Sequence, residues 1–516
     1  MWVPCRTDRI RHTVGSRAFA ARWCSMQLIV IAAFAIVLAM PPGGWPDVWV
    51  ESLPLTLVLV AALMLVPGLL AGAGAALAIS RLRRGGSDGP AHRLYGGFSA
   101  AARFGLLAGL VVTLVGTSWH YVVRHTLGLG AVPLVDELVL LTPFFVGVLL
   151  CWLAAYPAER VLRLRPVSGS RGDDAGNDVP PSRDASGAAA RPWPLAEYMM
   201  FNIRHHLLLM AVPMAIILLA KDVAESYRRE LADWTGAPWA AEACLAATAG
   251  VMFLVAPVIM RRMWTTVRLA DGPLRQTLED FCGRIGLRYR EILLWRTGRM
   301  VVNAAVMGLV WPVRYVMLSD GLLDALAPRE VEAVFGHEAG HVKHHHLFYY
   351  VLFAAAAAMV AFGGFELARR FWTLPISPSE QTLWALTVML PIWLGGFGWV
   401  SRRFERQADW FAVDCLASEL ADGSSDLPAR QTMAAELYAA TLYRIAALNG
   451  IAPEARSWRH SSIASRMEFA RWCARDAVGR RRFAHSIWWV KLVLFVITLV
   501  GGVTGMIMYW PSAWRL

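Results

Sequence analysis

The chain of 516 residues is 57% hydrophobic and carries a formal charge of +12. Apolar residues gathered into several long runs exclude an ordinary soluble enzyme and read as a polytopic membrane protein. The arginines cluster beside those runs, where they act as topology signals, so no nucleic-acid binding is expected. The seven cysteines are scattered and form no CxxC pair, so neither a disulfide framework nor a cysteine metal site is indicated.

In chain order, Arg6, Arg9, Arg11, Arg17 and Arg22 precede the apolar run Met26 to Met40. The run ends in Met-Pro-Pro without a small-x-small cleavage site, which predicts an uncleaved first span and a cytoplasmic N-terminus. Further spans are expected at Pro54 to Ser80, Ala101 to Val122, Leu138 to Tyr156, Leu207 to Ala220, Ala241 to Met260, Leu347 to Phe365, Leu383 to Val400 and Ile487 to Trp510, nine in all. Loop charges alternate accordingly: Arg81, Arg83, Arg84 and Arg93 inside, Asp136 and Glu137 outside, Arg160, Arg163, Arg165, Arg261 and Arg262 inside. Arg369 and Arg370 run against this count, which puts them outside. Leu207 to Ala220 is short for a crossing, leaving a re-entrant or tilted element as an open alternative. Between the fourth and fifth spans, Pro166 to Pro194 is rich in Gly, Ser, Asp, Pro and Ala and reads as a flexible linker.

From Arg262 the composition turns soluble. Leu274 to Ile285 reads as a helix, and Tyr289 to Arg296, Met300 to Leu309 and Val313 to Ser319 as short strands. Leu322 to Leu326 begins a helical stretch that leads into His337-Glu338-Ala339-Gly340-His341. Pro328 suits a first helical turn, Glu330 and Glu332 favour the positive end of the dipole, and Val331, Val334 and Phe335 give apolar helical spacing. On that helix His337 and His341 share a face and can point two ring nitrogens at one ion. Glu338, one step round, can reach a water on that ion as a general base. The run His344-His345-His346 that follows reads as interfacial or solvated.

A catalytic zinc takes three protein ligands and leaves a fourth position for water. The third-ligand candidate is Glu405, in the helical-looking segment Ser401 to Asp409. Asp409, one turn on, would accept a hydrogen bond from the second nitrogen of a ligating histidine. Two spans separate His337 from Glu405, so both halves of the site fall on one side of the membrane, cytoplasmic by the arginine count. Arg430 to Leu448 reads as a later helix.

HExxH followed by Ser-Arg-x-x-Glu-x-x-Ala-Asp resembles the membrane zinc metallopeptidases that include the CAAX prenyl endopeptidase and the HtpX-type quality-control proteases. Val301 to Gly308, with Asn303 and Ala304, is similar to the family's substrate-binding edge strand. His460-Ser-Ser-Ile-Ala-Ser-Arg466 is similar to its His-Pro-Ser-x-x-x-Arg segment, with Ser461 in place of the proline. The resemblance covers about residues 270 to 475 and matches nothing in the N-terminal half.

The resemblance implies a mainly α polytopic membrane protein. Its zincin-like α+β catalytic domain would contain a small antiparallel sheet and be interrupted by a transmembrane hairpin. It further implies one Zn2+ per chain on His337, His341 and Glu405, with Glu338 catalytic and either His460 or Arg466 stabilising the transition state. An exposed sheet edge would take an extended peptide as an added strand, at Asn303 and Ala304. The division expected is an N-terminal membrane region 1–165, the linker 166–194, two further spans in 195–265, a first catalytic half 266–346, the hairpin 347–400, a second catalytic half 401–485 and a C-terminal span 486–516.

The expected activity is peptide-bond hydrolysis at the cytoplasmic face of a membrane, placed in a bacterial inner membrane on composition. Its substrates would be membrane proteins or membrane-associated peptides. Three alternatives stay open. A site-2-type intramembrane protease would bury its motif, against which stand Arg329, Glu330, Glu332 and Lys343 flanking the helix. A catalytically silent scaffold would not need intact ligands and base, and a transporter would need more ionisable residues in its spans.

Overall fold

The structure is a computed structural model and describes residues 19–38, 40, 48–85, 88–162, 194–299, 301–371, 387–389, 391–420, 426–449, 451–455 and 460–509. The expected linker up to residue 193, and residues 372–386 and 390 of the expected hairpin, lie outside the described residues. The chain divides into two compact units, one formed by residues 1–131, 135–207 and 450–452 and the other by residues 132–134, 208–449 and 453–516.

The first unit is a bundle of apolar helices: α1 (Phe19–Leu38), α2 (Leu53–Arg83), α3 (Asp88–Gly116), α4 (Thr142–Leu162) and α5 (Leu195–Asn202). With no water to drive helices together inside a bilayer, small residues let backbones approach closely. α2 does this against both neighbours. A Cβ on its Gly74 would fall 2.3 Å from Phe98 Cβ in α3, and one on its Gly68 would fall 3.2 Å from Leu150 Cβ in α4. Ala71, Ala75 and Ala78 continue the same buried stripe.

The second unit begins with the apolar helices α6 (Leu209–Ser226) and α7 (Ala240–Met263), followed by a soluble α+β segment. Among the described residues, seven helices are long and apolar enough to cross a membrane, where nine spans are expected from the sequence. Of the other two, Met26–Leu38 is a shorter apolar helix, and the span expected at Leu383 to Val400 is described only over residues 387–389 and 391–400. The span expected at Leu207 to Ala220 is not short. The apolar helix there runs Leu195–Ser226, because Arg204, His205 and His206 lower the hydropathy without ending the helix and occupy a π-helical turn at Ile203–Leu208.

The sheet holds β1 (Thr266–Arg268), β2 (Glu291–Trp295), β3 (Ala304–Met307) and β4 (Tyr315–Ser319) in the order β1-β2-β4-β3. It is mixed, not wholly antiparallel: β1 and β3 run antiparallel to their neighbours, while β2 and β4 are parallel. The chain leaves β2, forms β3 at the far edge and returns between them as β4, which aligns β4 with β2. β1, absent from the sequence reading, is only three residues long and leaves no period-2 signal.

Helix α8 (Pro273–Ile285) precedes β2, and α9 (Asp320–Ala325) leads to α10 (Pro328–Lys343), which carries the HExxH motif. α10 starts where the sequence places it, with Pro328 in its first turn and the Glu330 carboxylate accepting from the Ala327 N–H at 2.8 Å. Leu278, Phe281, Val316, Leu318, Leu322, Val331 and Phe335 fuse α8, the sheet, α9 and α10 into one core. Then come α11 (His346–Phe371), α12 (Gly398–Glu419), α13 (Leu427–Leu448), α14 (Ile463–Arg475) and α15 (Ala477–Tyr509). α11 and α15 pack together, and Lys491 of α15 donates to the carbonyl of His344, at the end of α10, at 2.8 Å.

Candidate metal centre

Two helices far apart in sequence supply the centre, and glycine sets how closely they approach. A Cβ on Gly340 of α10 would lie 3.0 Å from Ala408 Cα of α12, and one on Gly336 would lie 3.3 Å from Ala412 Cα. Glycines one turn apart thus sit on alanines one turn apart, and the backbones meet almost in contact. This brings Glu405 of α12 over the histidines of α10.

The donor atoms lie close together, each imidazole facing a different oxygen of the one carboxylate. His337 Nε2 and His341 Nε2 are 3.3 Å apart, His337 Nε2 is 3.6 Å from Glu405 Oε2, and His341 Nε2 is 3.6 Å from Glu405 Oε1. Ligands about 2.0 to 2.2 Å from a tetrahedral ion stand about 3.3 to 3.6 Å from one another. The spacing therefore fits one ion of that kind, and these residues could hold a metal.

Behind His337 lies a buried polar cluster. Its Nδ1 is 3.0 Å from Asp409 Oδ1, a fully buried carboxylate. Asp409 also accepts from the Tyr438 hydroxyl at 2.6 Å and from Arg466 NH2 at 2.6 Å. Burial alone would push the Asp409 carboxyl up, but the charge of Arg466 and the hydrogen bond from His337 hold it down at about 2. Burial likewise opposes ionisation of Glu405, yet its hydrogen bond with His460 and the charge of His337 keep it well below the usual carboxylate range.

The two histidines differ. Burial and the Arg466 charge work against a proton on His337, but the Asp409 bond outweighs them and its pKa is raised. His341 is pushed down to about 3 by burial and the charge of His337. Burial raises the Glu338 carboxyl above its usual range. Glu338 also accepts from the Val306 backbone N–H.

That contact places the sheet edge beside the centre. β3 pairs with β4 alone among the described strands. Asn303 exchanges bonds with Ser319, its carbonyl accepting from the Ser319 N–H at 3.0 Å and its own N–H donating to Ser319 Oγ at 3.0 Å. By the antiparallel alternation, Ala304 and Val306 turn their main-chain groups away from β4, toward the open side.

The structure thus brings His337, Glu338, His341, Glu405, Asp409, Arg466 and His460 together, with Asn303 and Ala304 on the adjoining edge. Arg466 and His460 occupy different positions. Arg466 is buried behind His337, its NH1 3.9 Å from Glu405, whereas His460 is exposed with Nδ1 3.1 Å from Glu405 Oε1. The sequence reading misses Tyr438, for which a tyrosine in a long helix gives no signal, and misplaces His346. That residue is fully buried. The helix breaks before it, with His345 in the left-handed region at φ 56°, and the turn carries His346 inward.

Two histidines on an HExxH helix, met by a glutamate from a second helix in a chain with apolar helices long enough to cross a membrane, have the pattern of a membrane metallopeptidase. The residues from α8 through α13 carry a family match: residues 270–448 match peptidase family M48. Among solved structures, the crystal structure of S. mikatae Ste24p is similar at a TM-score of 0.49 and 16% identity, covering 81% of this chain and 99% of that one. No curated protein matches the chain in sequence.

Proposed function

We propose that this protein is a zinc-dependent endopeptidase that cleaves membrane proteins or membrane-associated peptides. The observation that carries the reading is the close grouping of His337, His341 and Glu405 with Glu338 alongside. Two imidazoles and a carboxylate form the donor set of a catalytic zinc site, with one Zn2+ per chain. Bound there, zinc would supply Lewis acidity toward a peptide carbonyl and toward water.

The chain's own residues do the rest. An extended peptide adds to β3, pairing with the outward main-chain groups of Ala304, while Asn303 offers its exposed side chain to the peptide. Glu338, its pKa raised by burial, takes a proton from the attacking water and returns it to the leaving amine. His460, exposed beside Glu405, donates a hydrogen bond to the oxyanion as it develops. Arg466 serves from behind, neutralising Asp409 and so holding His337 in place.

The arginine distribution supports an active site on the cytoplasmic side of a bacterial inner membrane, and turnover or processing of membrane proteins there. Purified Glu338→Gln protein should keep its zinc and lose peptide hydrolysis, and Glu405→Ala should lose both. Substantial turnover by Glu338→Gln would remove the base assignment, and a wild-type chain that binds zinc but cleaves no peptide would make it a silent scaffold.

A further inference from the structure

The second ring nitrogen of His341 needs something to hold it, and among the described residues its partner is not a carboxylate. His341 Nδ1 lies 2.9 Å from His346 Nδ1, and His346 Nε2 lies 2.9 Å from Gln407 Oε1. His346 is fully buried, and its ring stacks on Phe404 at 4.4 Å with 5° between the planes. The stack restrains the ring, so each nitrogen keeps its partner. We propose that His346 and Gln407 are positioning residues: a two-member hydrogen-bond chain that sets the tautomer and orientation of His341 as a metal ligand. The inference rests on the metal-site reading above.

The direction of the chain follows from valence. A carbonyl oxygen only accepts, so the proton on neutral His346 must sit on Nε2, facing Gln407. The other ring nitrogen, Nδ1, is then a bare lone pair and can only accept. Its partner, His341 Nδ1, must carry a hydrogen and donate it. A neutral imidazole has one N–H, so His341 Nε2 is left bare, and that is the atom facing His337 and Glu405 at 3.3 and 3.6 Å. The amide of Gln407 thereby exposes a lone pair to the ion from two residues away. Metal-ligating histidines usually donate their second N–H to a nearby acceptor, and loss of that partner costs about 10- to 100-fold in metal affinity.

The arrangement also separates the two histidine ligands. His337 leans on the anion Asp409, whereas His341 leans on a neutral chain. His346 is not a fourth ligand, because it meets the far nitrogen of His341. The sequence position is informative in retrospect: Gln407 stands two residues beyond Glu405 and so ties both elements of the site to one helix.

The test uses full-length protein purified in detergent, with zinc and cobalt affinities measured by chelator competition and the cobalt visible spectrum recorded. Gln407→Met, nearly isosteric but without an acceptor, should weaken metal binding about 10- to 100-fold. His346→Phe, which keeps the stack on Phe404, should do the same and alter the cobalt spectrum. Gln407→Glu, which only accepts, should hold metal as tightly as the parent. Parent-like affinity in both Gln407→Met and His346→Phe would overturn the proposal. So would loss in Gln407→Glu equal to that in Gln407→Met, since Gln407 would then be donating. If the parent itself bound no stoichiometric metal, or His341→Ala bound it unchanged, the metal-site reading would fall and this inference with it.

Discussion

Gly340 and Ala408 touch backbone to backbone, leaving 3.0 Å between the place of a Cβ on the first and the Cα of the second. The contact lies between the residues of α10 and α12 that could hold a metal, so it acts as a spacer for the centre. A metal site tolerates errors of about 0.2 Å in its donors, less than the displacement a methyl group would force here. Gly340→Ala should destabilise the protein by about 1–3 kcal/mol and weaken zinc at least tenfold, read by thermal melting and by chelator competition. Gly336→Ala, with 3.3 Å to Ala412 Cα, should do less. Wild-type zinc affinity in Gly340→Ala would show that the helix spacing does not set the site.

Asp409 holds three groups at once: His337, Tyr438 and Arg466. Asp409→Asn would leave a buried guanidinium without its counter-charge, a loss of about 3–5 kcal/mol. Zinc affinity should fall about 10- to 100-fold as His337 loses its partner. Tyr438→Phe removes one hydroxyl and should cost only about 1 kcal/mol. Equal melting temperatures for Asp409→Asn and the parent would contradict this account of the buried cluster.

Among the three candidate ligands, metal uptake should depend on pH through His337. His341 is held down at about 3 and Glu405 well below its usual range, so neither carries a proton at neutral pH. His337, raised by Asp409, binds its proton more firmly in the metal-free protein, and metal must displace it. Zinc affinity should therefore climb as pH rises toward the His337 pKa and level off above it. Calorimetry in buffers of different ionisation enthalpy should register release of about one proton on the acid side and none on the alkaline side. Release of two would mean that His341 is also protonated.

A stability effect should come from the other end of α10. Glu332 is buried against Glu419, which Arg284 binds, and burial followed by the shared hydrogen bond with Glu419 pushes Glu332 up to about 7. A carboxyl raised in the folded state stabilises while it is protonated. Its contribution is complete below the unfolded value of about 4.3 and is lost as pH climbs through 7. Glu332→Gln should flatten the decline in stability between pH 5 and 8 and raise the melting temperature at pH 8 by about 2 °C. An unchanged slope would place the proton elsewhere.

The residues of the centre were legible in the sequence because helical spacing is a local property. Four residues bring His337 and His341 onto one face, and the same interval relates Glu405 to Asp409. Hydropathy likewise marked the spans, since about 20 apolar residues are needed to cross a bilayer wherever they occur. What could not be read was anything fixed by one segment lying against another. The parallel pairing of β2 with β4 depends on where β3 comes to rest, and the Gly340–Ala408 contact on two helices that a long stretch of chain separates. His346 read as an interfacial residue, and only the turn at His345 shows it to be buried behind His341. Sequence alone determined which side chains could bind an ion, through periodicity along single helices. The tertiary structure decided which nitrogen of each would face it, because a tautomer is set by the hydrogen-bond partner that packing places on the other side of the ring.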